Sequence, residues 1–289
     1  MARADFIGER VAGRSEHGFG LDVRSIAKRI AFAVDVITPS VAGMVVLAYH
    51  RVGGRTVSPV DLVTADFRRQ IEHVAARVGT LDEGLAALRS ARPDSDAADL
   101  PIVLTFDDGT ADFADIVLPI LVEFDVPATL YLSTANVDSG DAYSLGGTPI
   151  SWAGLADCLS TGLVAIGSHT HHHVLLDRCN PLEATQELDT CDRRIEDELG
   201  VTPLHFAYPK ALSPSPAVDE LVRQRYLSAA VAGTRANRVG HTDPFRLNRS
   251  PIQNADGWDG FVRKVEGGMR VEDDVRRVVN LVRYRGKNS

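Results

Sequence analysis

Cysteine, tryptophan and methionine are scarce in this chain, at three, two and three in 289 residues. Cys158, Cys179 and Cys191 stand far apart with no CxxC spacing, which excludes a disulfide framework or a zinc–thiolate module and points to a reducing compartment. Trp152 and Trp258 are too few to form an extended aromatic platform. Basic charge is in deficit: 31 Lys and Arg against 39 Asp and Glu leave a net charge of −8. Non-specific nucleic-acid binding rests on clustered Lys and Arg, so that class is excluded. The local cluster Arg276, Arg277, Arg283 and Arg285 reads as a solvated helix face. A clean apolar run of the roughly 20 residues a spanning helix needs is also missing. The most apolar stretch, Ile30 to Tyr49, is broken by Asp35 and Pro39. It reads as an amphipathic lead-in before a buried strand, compatible with peripheral membrane contact. Met1 to Asp5 carries an acid early and has no apolar run or cleavage site of a signal peptide. The expected location is the cytoplasm or the cytoplasmic membrane surface.

What is present is ordinary for a soluble globular protein: 44% hydrophobic and 24% charged residues. The length suits one large core. Residues 1–42, mixed in character, are expected to form an N-terminal arm or helix, and 43–289 a single domain. Short apolar, β-branched runs at 44–49, 101–106, 128–132, 163–166, 204–207 and 227–232 read as buried strands. Helical spacing covers 65–78, 81–88, 111–124, 151–161, 182–199 and 216–225, and Arg92 to Asp96 is a polar loop. Repeated alternation of this kind predicts a parallel sheet covered by helices, with a single α/β barrel preferred.

Two motifs fall at the C-terminal ends of predicted strands, where such folds place their chemistry. Asp107 and Asp108 are neighbours at a strand end and point in different directions, so one can ligate a cation while the other acts as a base. Gly109 permits the tight turn that must follow. The plainer alternative is a helix N-cap. His169 and His173 are four apart, an offset that brings two imidazoles onto one face of a helical turn. Two histidines and a carboxylate suit zinc, and also Fe(II), Co(II) or Mn(II). Spacing leaves His171 and His172 as supporting groups, bystanders or alternative ligands.

Thr105 to Gly109 and His169 to His173 resemble the first two motifs of the polysaccharide deacetylases, carbohydrate esterase family 4. The resemblance spans about 44–252 and implies a distorted (β/α) barrel that removes acetyl groups from sugars with one divalent metal, zinc foremost, with Co2+, Mn2+ or Ni2+ as substitutes. By position it implies Asp107 as general base and Asp108, His169 and His173 as metal ligands. The family's third motif, Arg-Pro-Pro-Tyr-Gly, is altered here to Ala207-Tyr208-Pro209-Lys210-Ala211. Pro209 and Lys210 would face the substrate, the Lys210 N–H serving the oxyanion in place of the family's tyrosine N–H. The arginine that orients the base must come from elsewhere, with Arg249 first and Arg246 second. The C-terminal Leu-x-His motif is missing. Tyr49-His50-Arg51-Val52, after the first strand, instead resembles the circularly permuted poly-N-acetylglucosamine deacetylase branch, which implies His50 as general acid, with His241 as the weaker alternative.

The expectation is therefore a metal-dependent hydrolase on an N-acetylated, less readily O-acetylated, glycan, in which Trp152 or Trp258 can stack on a sugar ring. Its rivals are an amidohydrolase of small non-sugar C–N bonds and a catalytically silent carbohydrate-binding module. An open groove would favour a polymer and a closed pocket a small substrate. Oligomeric state is left open.

Overall fold

The computed structural model describes residues 43–90, 100–143, 146–212, 214–269 and 273. The expected arm at 1–42, the loop at 92–96 and the C-terminal arginines lie outside them. Strand β1 (Val45–Tyr49) is followed by a two-stranded side sheet, β2 (Arg51–Val52) and β3 (Asp61–Leu62), and by helices α1 (Thr64–Val74) and α2 (Leu81–Ser90). Then come β4 (Ile102–Asp108), α3 (Leu118–Phe124), β5 (Ala128–Leu132), α4 (Thr134–Ser139), α5 (Trp152–Ser160) and β6 (Val164–Ser168). The chain continues through α6 (Pro181–Leu199), β7 (His205–Ala207), α7 (Pro216–Arg225), β8 (Ser228–Ala232), β9 (Leu247–Pro251) and α8 (Gly257–Val265). β1 and β4 to β9 form a closed barrel of seven parallel strands, in which β9 pairs with β1 through Leu47–Ser250 and Ala48–Pro251. Among the described residues no helix is long and apolar enough to cross a membrane.

Period-two alternation decides what each strand contributes. Val45, Leu47 and Tyr49, Ile102, Leu104 and Phe106, and Ala128, Leu130 and Leu132 pack outward against the helices. Tyr49 stacks on Phe106 at 5.2 Å, and Phe67 of α1 meets Tyr49 edge-on at 5.4 Å. The intervening residues Val46, Val103, Tyr131, Ala207, Ala230 and Leu247 share a second cluster inside the barrel. Continued one step beyond the apolar part, the inward series place His50, Asp107, His169 and Arg249 at or near the C-terminal mouth.

Three departures from the sequence reading have physical causes. The helix expected over 111–124 begins as a π-helical turn at Phe113–Val117 and becomes α only from Leu118. Pro119 lacks the N–H that would bond the carbonyl four residues back, so the register shifts there. β9, Leu-Asn-Arg-Ser-Pro, was not expected as a strand because it has no apolar run. The segment 169–173 is a loop with Thr170 at φ 64° and His173 at φ 55°, not a helical turn. Two left-handed residues, rather than helical periodicity, bring His169 and His173 together.

Candidate active site

Val103, Thr105 and Asp107 run up the inner face of β4, so the Asp107 carboxylate points into the mouth of the barrel and is 4% exposed. Arg249 enters from β9 and is 3% exposed. Its Nη1 donates to Asp107 Oδ1 at 2.6 Å and its Nη2 to Oδ2 at 3.0 Å, a fork that fixes the carboxylate plane. Burial would raise the Asp107 pKa, but Arg249 with the nearby His169 and His50 outweighs it and holds the carboxyl well below the usual range. His50 Nε2 lies 3.7 Å from Asp107 Oδ2, and its Nδ1 is buried without a hydrogen-bond partner among the described residues.

Asp108 would face the helices by strand alternation. At φ 74° the backbone turns left-handed and swings it instead to the same mouth, where Oδ1 stands 3.4 Å from His173 Nε2 and 3.8 Å from His169 Nε2. The turn is locked in place. Tyr143 Oη donates to the Asp108 carbonyl at 2.8 Å, Ser133 N to the same carbonyl at 3.2 Å, and Ser133 Oγ to the His169 carbonyl at 3.0 Å. Gly109 follows at φ 95°, and a Cβ on it would lie 2.4 Å from Leu132 Cδ1. Neither Asp107 nor Asp108 caps a helix, which removes the plainer reading of the motif: the next helical turn starts after Asp112.

His169 Nδ1 lies 2.6 Å from the Ala207 carbonyl, which can only accept, so its proton sits there and the Nε2 lone pair faces Asp108. Burial lowers the pKa of His169 against the pull of Asp107 and Asp108. His173 is brought down to about 4 by burial, Asp108 opposing and His169 and Lys210 assisting. Neutral imidazoles beside an ionised carboxylate are the protonation states metal ligation requires. The three donor atoms lie within 4.8 Å of one another, in the one such group found among the described residues. Ligand atoms about 2.1 Å from a tetrahedral ion stand roughly 3.4 Å apart, so the donor set fits a cation with only small adjustments. Three protein ligands leave a position open for water or substrate.

The remaining sequence candidates divide. Pro209 is buried just past β7, and Lys210, exposed at φ 53°, lies close enough to His173 to influence its charge. Ala207, where the family carries arginine, packs inside the barrel with Tyr131, and the guanidinium arrives two strands away on β9. Arg246 lies elsewhere, bonded to Asp219 at 2.7 Å and to the Tyr208 hydroxyl at 3.3 Å. His241 is exposed in a turn beside Arg238. His171 and His172 turn away from the donor set: His171 Nδ1 meets Thr134 Oγ1 and His172 Nδ1 meets Glu187 Oε1, both at 2.7 Å. Trp258 is covered by the Arg69 guanidinium at 3.7 Å, and Trp152 donates to Asp138 at 3.0 Å. Tyr143, Ser133 and Tyr131 were not singled out from sequence. Their roles rest on contacts across 34 or more residues of chain, for which a single sequence carries no signal.

Comparison with known proteins bears on the family and the fold. Residues 94–227 match the family model described as polysaccharide deacetylase. No curated protein matches the chain. Among solved structures, the Streptococcus pyogenes deacetylase PplD in complex with acetate is similar at TM-score 0.66 and 18% identity, covering 78% of this chain and 99% of that one. IcaB from Ammonifex degensii gives 0.66 and 23%, covering 78% and 98%. A de-N-acetylase from Aggregatibacter actinomycetemcomitans gives 0.61 and 19%, covering 76% and 99%. At these identities the structures speak to the fold. The family match begins after β1 and ends before β9, so His50, just past β1, and Arg249, on β9, lie outside it, at the two strands whose pairing closes the barrel.

Proposed function

We propose that this chain, which carries a polysaccharide deacetylase domain over residues 94–227, is a metal-dependent hydrolase that removes acetyl groups from the nitrogen of an N-acetylated glycan. One arrangement carries the reading: Asp107, clamped by Arg249, has His50 at 3.7 Å and the Asp108–His169–His173 donor set beside it. Zinc, or cobalt, manganese or nickel in its place, held by those three residues supplies Lewis acidity that polarises the acetyl carbonyl and acidifies a water.

Asp107 takes a proton from the attacking water as the oxygen adds to the acetyl carbon. Arg249 occupies one acceptor site on each carboxylate oxygen and leaves lone pairs for the water. It also lowers the pKa of Asp107 against the effect of burial and so holds the carboxylate ionised at neutral pH. The Lys210 N–H is the candidate donor to the developing oxyanion, and Pro209 fixes the backbone just before it. His50, in its protonated form, gives its proton to the departing nitrogen as the C–N bond breaks, and acetate and a free amine leave. The similarity to a de-N-acetylase supports the nitrogen over the oxygen ester. A cytoplasmic or membrane-surface site of action, on a glycan precursor, belongs to the same proposal.

The test is acetate release from N-acetylglucosamine oligomers by metal-stripped protein with zinc, cobalt or manganese added, beside His173→Ala. Metal-dependent acetate that vanishes in the variant is expected. No acetate despite stoichiometric metal binding would redirect the search to a non-sugar amide, and no metal binding would favour a silent carbohydrate-binding module.

A further inference from the structure

The two histidines of the donor set are held very differently. His169 is fixed at three points: its N donates to the Leu132 carbonyl at 3.0 Å, its carbonyl accepts from Ser133 Oγ at 3.0 Å, and its Nδ1 meets the Ala207 carbonyl at 2.6 Å. Among the described residues no hydrogen bond holds the His173 backbone, which stands at φ 55°. A residue with a Cβ adopts that left-handed state only where its surroundings impose it. The two imidazoles between His169 and His173, which the donor set does not use, show what imposes it.

Glu187, in the middle of the 19-residue helix α6, grips His172 twice. Its Oε2 accepts from the His172 backbone N at 2.8 Å and its Oε1 from the ring Nδ1 at 2.7 Å. His171 is held from the opposite side, by α4: its carbonyl accepts from Ala135 N at 2.9 Å and its Nδ1 meets Thr134 Oγ1 at 2.7 Å. The two rings meet edge to face with centroids 4.2 Å apart. The helices on either side are tied to each other, since Arg194 of α6 forks onto Asp138 of α4 at 2.7 and 2.9 Å. The loop is thus pinned at 169, 171 and 172, and the last pin lies one residue before the unsupported turn.

We propose that Glu187, acting through His172, is a positioning residue for the metal centre: by holding the turn at His173 it sets the affinity of the Asp108–His169–His173 set for a divalent cation. The inference rests on the metal-binding part of the reading above and gives the unused imidazoles a role in it. A rotation at residue 172 swings the next imidazole as a lever, whereas the three donor atoms must stay within 4.8 Å of one another to share an ion. A loop already ordered in the free protein loses little further freedom when the cation arrives. His171 and His172 are anchors and not spare ligands. Their rings also line an open cleft beside α4, and the metal-binding geometry is met among the described residues only by Asp108, His169 and His173.

The experiment measures zinc affinity of the metal-stripped full chain against a competing chelating dye, for the parent, Glu187→Ala, Glu187→Gln and His172→Ala. Thermal melts of the same metal-stripped proteins are read alongside. Glu187→Ala is expected to weaken zinc binding about tenfold, as loss of a group supporting a metal ligand does, with its metal-free melting temperature unchanged. Glu187→Gln keeps one acceptor oxygen for His172 and should recover part of that loss. Adding His172→Ala to Glu187→Ala should weaken zinc no further, because both substitutions cut one link. Unchanged zinc affinity in Glu187→Ala would overturn the inference and leave the deacetylase reading standing. A loss matched by a fall in the metal-free melting temperature, and not relieved by glutamine, would overturn it as a structural role alone. The expected losses in a protein whose parent releases no acetate would support the inference and overturn the deacetylase reading. A parent that takes up no divalent metal would overturn both.

Discussion

Tyr131 is fully buried, yet its hydroxyl has no hydrogen-bond partner among the described residues, and what the ring meets is the Arg249 guanidinium, 5.1 Å from its centroid. The ring is the part in use, as a floor under the arginine that clamps Asp107. Gly167 makes room for it: a Cβ there would sit 2.5 Å from Tyr131 Cδ1. Tyr131→Phe is therefore expected to keep kcat and to gain about 1 kcal/mol of stability in urea melts by removing an unpaired hydroxyl. Gly167→Ala should tilt the ring and lower kcat at least tenfold, with metal content by elemental analysis unchanged. Asp107→Asn should retain metal and lose roughly 10²- to 10⁴-fold in kcat, and full turnover in that variant would remove Asp107 as the base. At this scale the grouping of Asp107, Asp108, His169, His173 and His50 was readable because motif and residue chemistry travel together in the chain. Tyr131, Tyr143 and Ser133 were not, because a phenol or a hydroxyl acquires its role only from what it touches.

At the scale of elements, β6 and α6 are joined to Tyr226, just past α7, by a buried polar link. Tyr226 Oη lies 2.9 Å from both carboxylate oxygens of Asp192 on α6 and 3.1 Å from Ser168 Oγ, the residue before His169. Burial lifts the Asp192 pKa to about 6, with bonds to Ser168 and Tyr226 pulling it part of the way back. A folded-state value above the unfolded one means the native protein holds an extra proton between about pH 4 and 6. Stability then falls as pH rises through that window and levels off above it. Asp192→Asn should flatten this dependence and stabilise the protein by roughly 1–3 kcal/mol at pH 7, read from urea midpoints across pH. A variant as pH-dependent as the parent would show that another group titrates. Most elements were legible here, since β5 and α7 begin and end where apolar runs and helical spacing put them. The π-turn before Pro119 and the left-handed loop 169–173 were missed because each depends on a local backbone state that hydrophobic periodicity does not encode.

The whole molecule is closed by β9 against β1, and a buried lysine holds that seam. Lys264 of α8 is 0% exposed, and its Nζ donates to the Pro251 carbonyl and to Asp256 Oδ2, both at 2.8 Å. Lys264→Ala would leave Asp256 buried beside an uncapped strand end, and should cost about 3–5 kcal/mol in the denaturant midpoint. Because β1 brings His50 and β9 brings Arg249, turnover should fall with stability in this variant while the Asp108–His169–His173 set still takes up metal. The sequence by itself determined the alternation of strands and helices, the parallel barrel, and a carboxylate motif and a histidine motif at one end, because hydrophobic period and residue chemistry are local properties. Only the tertiary structure decided which arginine meets Asp107, that His50 stands beside the same carboxylate, and that the spare imidazoles face a separate cleft. Those facts depend on closing a ring between strands some two hundred residues apart, on a seam strand too polar to announce itself and on backbone turns that redirect side chains against the pleat.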